Sequence, residues 1–73
     1  EKWRNFISVN PKIMGGFPCI SGTRFPVSFV LGFLANDNSF AEVLEQYPDL
    51  TKEQILACLD YACDISGTRT VSV

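Results

Sequence analysis

No histidine occurs among the 73 residues, which removes the commonest general base at neutral pH and the commonest metal ligand. Cys19, Cys58 and Cys63 leave one thiol unpaired under any pairing, and none stands in the Cys-x-x-Cys spacing of a metal or redox pair. They read as buried apolar thiols suited to a reducing cytosol. No carboxylate pair or nucleophile-plus-base spacing is present, so an enzyme is not expected, nor a cofactor, a metal or a small-molecule substrate. What remains is chemistry of recognition. Arg24, in the turn Ser21-Gly22-Thr23-Arg24 ahead of Phe25-Pro26, could fork onto a phosphate or a partner's carboxylate. It could equally bond turn carbonyls or an acid within the domain. Gly15, Gly16 and Gly22 suit turns, and backbone N–H groups in such turns can also hold anions. Trp3 and Tyr61 offer aromatic faces for stacking, against a plain role in packing.

Charge is unevenly distributed. Residues 1–26 hold Lys2, Arg4, Lys12 and Arg24 against Glu1, whereas residues 27–66 hold seven acids against Lys52 alone. The asymmetry suits opposed interaction surfaces, or simply solvated helices. A net charge of −2 argues against unselective nucleic-acid binding, which needs a basic excess.

These side chains need a scaffold, and a chain this short makes one domain, expected over residues 1–73, near the lower size limit for independent folding. The hydrophobic share of 47% supplies a core, and no run is long and apolar enough for a bilayer span or a signal peptide. A soluble, cytoplasmic protein is expected. Between about residues 5 and 21, short apolar segments alternate with Asn10-Pro11 and Gly15-Gly16, which predicts a β-ribbon closed by a tight glycine turn. A lone ribbon is marginal in water and must pack on helices or on another subunit.

Pro26 predicts a helix start, and Val27–Ala35 predicts a first helix that is apolar nearly all round. Val27, Val30, Leu31 and Leu34 are assigned to the core. Phe29 and Phe33, four apart, are left for the ribbon or a second subunit. Asn36-Asp37-Asn38 closes this helix, asparagine being tolerant of the left-handed conformation. Ser39 with Glu42 and Thr51 with Gln54 are capping boxes, which predict helices over 39–47 and 51–65. Tyr47-Pro48 ends the first of these, and Gly67 caps the second. Phe40, Val43, Leu44 and Tyr47 form one apolar stripe; Ile55, Leu56, Leu59, Ala62 and Cys63 are assigned inward on the last helix. The expected outward positions there are Lys52, Glu53, Ala57, Asp60, Tyr61 and Asp64. The fold class is mainly α, a three-helix helix-turn-helix with a short N-terminal β-ribbon. Thr68–Val73 alternates like a strand and is left as an edge strand or a loose tail.

The ordered residues Ile7, Pro11, Gly15-Gly16-x-Pro18, Ile20-x-Gly22-Thr23-Arg24-x-Pro26-Val27, then Ser39, Glu42, Leu44, Tyr47-Pro48-x-Leu50-Thr51, Gln54-Ile55, Leu59 and Tyr61-Ala62 resemble the bacterial domain-of-unknown-function family 433. Members are similar to antitoxins of the VapB type, often encoded beside a toxin with a PIN-like nuclease fold. The resemblance implies a homeodomain-like helix-turn-helix, a cytoplasmic location and no enzymatic activity. Phe17 departs from the pattern, since the family more often has a basic or polar residue there.

The expected function is a non-catalytic, type II antitoxin-like module that binds a toxin partner as a homodimer and could also take operator DNA, with partner binding placed ahead of DNA binding. The alternative is a homodimeric protein-interaction module without DNA binding. Arg24, Thr23, Lys12, Lys52 and Gln54 are the candidate partner or nucleic-acid contacts, and Phe29, Phe33 and Phe17 the candidate dimer contacts. Carboxylates on the supposed reading helix weigh against DNA, because affinity for a polyanion comes from several Lys or Arg contacts to phosphates.

Overall fold

A computed structural model of the chain describes residues 2–67, with Lys2 described by its backbone alone. The tail expected to pair as an edge strand, Thr68–Val73, lies outside the described residues, as does the Lys2 side chain. A 3-10 turn, Lys2–Asn5, leads into β1 (Ile7–Ser8), which pairs antiparallel with β2 (Cys19–Ile20) in the register Ile7 to Ile20 and Ser8 to Cys19. Three helices follow: α1 (Val27–Ala35), α2 (Phe40–Gln46) and α3 (Lys52–Ile65). All three pack on one another, and the N-terminal 3-10 turn packs on α3. The chain is therefore mainly helical with a short ribbon, as its pattern predicts.

Both capping boxes form. Ser39 Oγ accepts from Glu42 N–H at 3.1 Å while Ser39 N–H donates to Glu42 Oε1 at 2.6 Å. Thr51 and Gln54 repeat the exchange at 3.2 and 2.9 Å. Each box satisfies two backbone donors that a helix start leaves unpaired. Tyr47 caps α2, and Gly67 follows α3 with φ of 106°, its N–H donating to Asp64 O.

Val30 from α1, Val43 from α2, and Ile55 and Cys58 from α3 have no exposed surface. Ile7 and Ile20 from the ribbon, with Val27 and Trp3, complete this core. Leu31, Leu34, Phe40, Leu44 and Tyr47 pack around it half-buried.

Four expectations need correction. The face of α3 that turns inward carries Ile55, Ala57 and Cys58, with Tyr61 packed against the core. Leu56 and Leu59, expected inward, are 47% and 38% exposed, and Ala57, expected outward, is buried. The helix has two apolar stripes, one on Ile55 and Cys58 and one on Leu56 and Leu59. Either satisfies helical periodicity. The rest of the core decides between them: Ile55 and Cys58 join the cluster with Val27, Val30 and Val43, and Trp3 docks beside it on Asp60, Tyr61 and Asp64.

Trp3 is a core residue and Tyr61 is its packing partner. Their rings meet edge to face with centroids 4.9 Å apart, so each packs on the other. The backbone N–H of Trp3 donates to Asp60 Oδ2 at 3.2 Å and its indole N–H donates to Asp64 Oδ2 at 2.8 Å. Arg4 covers the indole at 4.5 Å. Two of the acids expected on the outer surface thus hold the N-terminus against α3.

The ribbon lacks a tight Gly-Gly hairpin turn. Met14, Gly15 and Gly16 have successive φ values of 52°, 65° and 90°, which form a left-handed loop ahead of β2. The connection is consequently broad, and Ile13-Met14 lies outside the strands. Pairing on the other edge of β2 is supplied by the approach to α1: Ile20 N–H donates to Phe25 O, and Val27 N–H to Pro18 O, each at 2.9 Å. Pro26, bridged to Cys19, is the N-cap of α1 and precedes its first turn. At the other end of α1 the left-handed residue is Asp37, with φ of 67°. Asn36 and Asn38 bond by side-chain amides to Gly32 O and Phe33 O.

Among the described residues no helix is long and apolar enough to cross a membrane.

Candidate functional site

Two short segments far apart in sequence meet beside α1. The first begins at the turn Ile20–Thr23, where Thr23 N–H donates to Ile20 O at 3.0 Å and Gly22 takes φ of 80°. A positive φ at the third turn residue requires glycine or its near equivalents. Thr23 then locks the exit, its hydroxyl donating to Ile20 O at 2.7 Å and accepting from Phe25 N–H at 3.0 Å. The hydroxyl is therefore occupied by the turn. Arg24, next along, is exposed, and no hydrogen bond or ion pair joins it to another residue among those described.

The second segment is the linker Tyr47–Leu50 between α2 and α3. Pro48 bars further helix, and Leu50 N–H donates to Tyr47 O at 3.0 Å. Aromatic contacts join the segments. The rings of Phe25 and Tyr47 meet edge to face at 4.8 Å, Phe29 lies 5.8 Å from Phe25, and Phe33 lies 5.9 Å from Tyr47.

Between the segments runs an open groove of about 580 Å³. It is lined by Thr23, Arg24, Phe25 and Phe29 from the first segment and α1, by Tyr47, Pro48, Asp49 and Leu50 from the linker, and by Gln54 of α3. Its walls are largely apolar, while Arg24 and Asp49 place opposite charges at its rim. Such a groove can hold an extended chain segment or a flat apolar group, with orientation fixed by the two charges.

The expected contact residues divide accordingly. Arg24, Thr23 and Gln54 converge on the groove. Thr23 acts there as a turn-former, and Gln54 Oε1 is held by Thr51 N–H. Lys52, exposed in the first turn of α3, and Lys12, exposed in the ribbon connection, do not line it. Among the expected dimer contacts, Phe33 packs inward on Tyr47 and the core. Phe29 is 57% exposed at the groove, and Phe17 is 67% exposed in the ribbon connection. Asp49 and Tyr47 were missed as site residues. The signal available for them was the Tyr-Pro-Asp-Leu linker itself, read only as a helix stop.

Two of the three thiols, Cys19 and Cys58, belong to the core. Cys58 is fully buried, and burial pushes its pKa from 9.0 up to about 11. Buried Cys19 donates weakly to Phe17 O at 3.5 Å.

No solved structure matches the chain. Uncharacterized protein y4eO of Sinorhizobium fredii (strain NBRC 101917 / NGR234) is 37% identical over 59 residues, covering 81% of this chain and 27% of that protein. The chain thus spans about a quarter of that relative's length. A family model matches residues 7–62, a stretch that takes in the ribbon, both groove-forming segments and most of α3, and the chain belongs to the family described as Protein of unknown function (DUF433).

Proposed function

We propose that this domain is a non-catalytic binding module of the type II antitoxin kind, which grips a protein partner in the groove between the Thr23–Phe25 turn and the Tyr47–Leu50 linker. One observation carries the reading: an exposed guanidinium without a partner among the described residues stands over an apolar groove of about 580 Å³. An apolar side chain from an extended partner segment buries against Phe25, Phe29 and Leu50. A carboxylate beside it forks onto Arg24, a geometry that a planar guanidinium favours. The resemblance to antitoxins points to a toxin protein of PIN-like fold as the partner class.

The test is a calorimetric titration of the chain with a purified toxin protein of PIN-like fold. Arg24→Glu and Phe29→Ser, both at exposed positions, are expected to weaken binding at least about tenfold each. Unchanged affinity in both variants would remove the groove from the interface.

Direct DNA reading is less well supported. The outward side of α3 carries Leu56 and Leu59 beside Lys52, an apolar strip where phosphate contacts need cations. A mobility shift with the upstream DNA at low salt is expected to show no specific complex. A specific shift abolished by Arg24→Ala would reinstate DNA as the ligand.

A further inference from the structure

The second apolar stripe of α3 faces away from the groove. With 3.6 residues per turn, Leu56 stands about 160° around the helix from the groove residue Gln54. Leu56, Leu59 and Cys63 recur at spacings of three and four, the a and d positions of a heptad, with Lys52 at the preceding d position. Leu56 and Leu59 are exposed and Cys63 is half-buried. In the same register, Glu53 and Asp60 both fall at e, the flanking position that selects a partner helix by charge. Beside this flank a hollow of about 300 Å³ lies between Phe6 and α3, lined by Phe6, Glu53, Leu56, Ala57 and Asp60.

We infer that this face of α3 docks an amphipathic helix from a partner protein, one with an apolar a/d seam and Lys or Arg in its flanking positions. The hollow selects the cation. An aliphatic stem can lie along Phe6 and Ala57 while its charged head meets the exposed carboxylate of Glu53. Asp60, whose carboxylate accepts Trp3 N–H, lines the same hollow. A second copy of the chain fits poorly. Antiparallel self-pairing sets e against e and so brings Glu53 to Asp60 of the copy, whereas parallel self-pairing sets Lys52 against Lys52. Like charges at such positions disfavour association. The surface is separate from the groove, so each can fail without the other.

The probe is a synthetic three-heptad helix with leucine at a and d and lysine at e and g, whose like charges keep it from pairing with itself. Its twin carries glutamate at e and g. Fluorescence anisotropy of each labelled peptide is read against the whole chain at low salt. The lysine peptide is expected to bind at least about tenfold more tightly than its twin. Leu59→Gln, at an exposed position, should keep the circular dichroism of the wild type and lose that binding, while Glu53→Lys should narrow or reverse the preference. Arg24→Glu in the groove should leave it unchanged. Equal binding of the two peptides, or binding that survives Leu59→Gln in a folded protein, would overturn the inference. So would light scattering that shows a dimer of the chain dissociated by Leu59→Gln, which would seat a second copy on this face.

Discussion

Trp3→Phe isolates the hydrogen bond that pins the N-terminus to α3. Phenylalanine keeps an aromatic ring against Tyr61 but removes the indole N–H, which donates to Asp64 Oδ2 at 2.8 Å. Hydrogen bonds to charged groups contribute about 1.5–3 kcal/mol. Asp64 is only half-buried, so the lower part of that range applies, and with the smaller ring the loss is about 2 kcal/mol. A domain of this size loses roughly 4–8 °C of Tm per kcal/mol, which gives a fall of roughly 8–16 °C. Thermal melts followed by far-ultraviolet circular dichroism measure it without relying on the deleted fluorophore. Asp64→Ala, alone and combined with Trp3→Phe, completes a double-mutant cycle with an expected coupling of about 1–2 kcal/mol. A Trp3→Phe variant within about 0.5 kcal/mol of wild type, the size of an ordinary surface change, or a coupling near zero, would refute the view that this bond organises the N-terminus.

Other consequences can be checked with the same melts. Gly22→Ala meets open space but is forced to φ of 80°, so it should cost about 1–2 kcal/mol of backbone strain. Ser39→Ala and Thr51→Ala should each cost about 1 kcal/mol, and because they cap different helices their effects should add. Buried Cys58, at about 11 against 9.0 in the open chain, holds its proton more tightly when folded. Its contribution is therefore complete below pH 9 and lost as pH rises towards 11, a decline of about 2–3 kcal/mol. Urea titrations of wild type and Cys58→Ala should converge over that interval, and parallel curves would show that the thiol does not titrate with unfolding. At pH 8 Ellman's reagent should reach Cys58 only in denaturant, and modification in the folded protein would contradict its burial.

Local signals were the most legible part of the sequence. The capping boxes at Ser39 and Thr51 involve residues three apart, and Pro48 stops a helix by its own ring, so neither depends on the rest of the fold. The orientation of α3 does depend on it. Ile55 and Leu56 begin equally good apolar stripes, and the choice is made by distant elements: α1 and α2 share the core with Ile55 and Cys58, and Trp3, more than fifty positions away in sequence, bonds to the same helix. No window along the chain contains that information. The candidate site was half legible: Arg24, Thr23 and Gln54 stood out by type and motif, whereas their meeting with Tyr47 and Asp49 arises from the packing of α1 against α2. The ribbon was placed correctly but its turn was not, because Gly15-Gly16 marks a change of direction without specifying that Met14 joins it at positive φ.

The bonds from Trp3 to Asp60 and Asp64 also make the backbone nearly circular in space, because residues at opposite ends of the described chain touch. Contacts of such sequence separation carry a closure entropy that local contacts do not, so docking of the N-terminal turn on α3 is expected to follow the meeting of the three helices, an order that φ-values at Trp3 near zero would bear out. The same closure makes the molecule a natural subject for circular permutation. Within residues 2–67, a linker from Gly67 to Lys2 and a break at exposed Asp37, between α1 and α2, would retain every core contact, the groove and the Leu56–Leu59 face. It would also turn a long-range encounter into a local one.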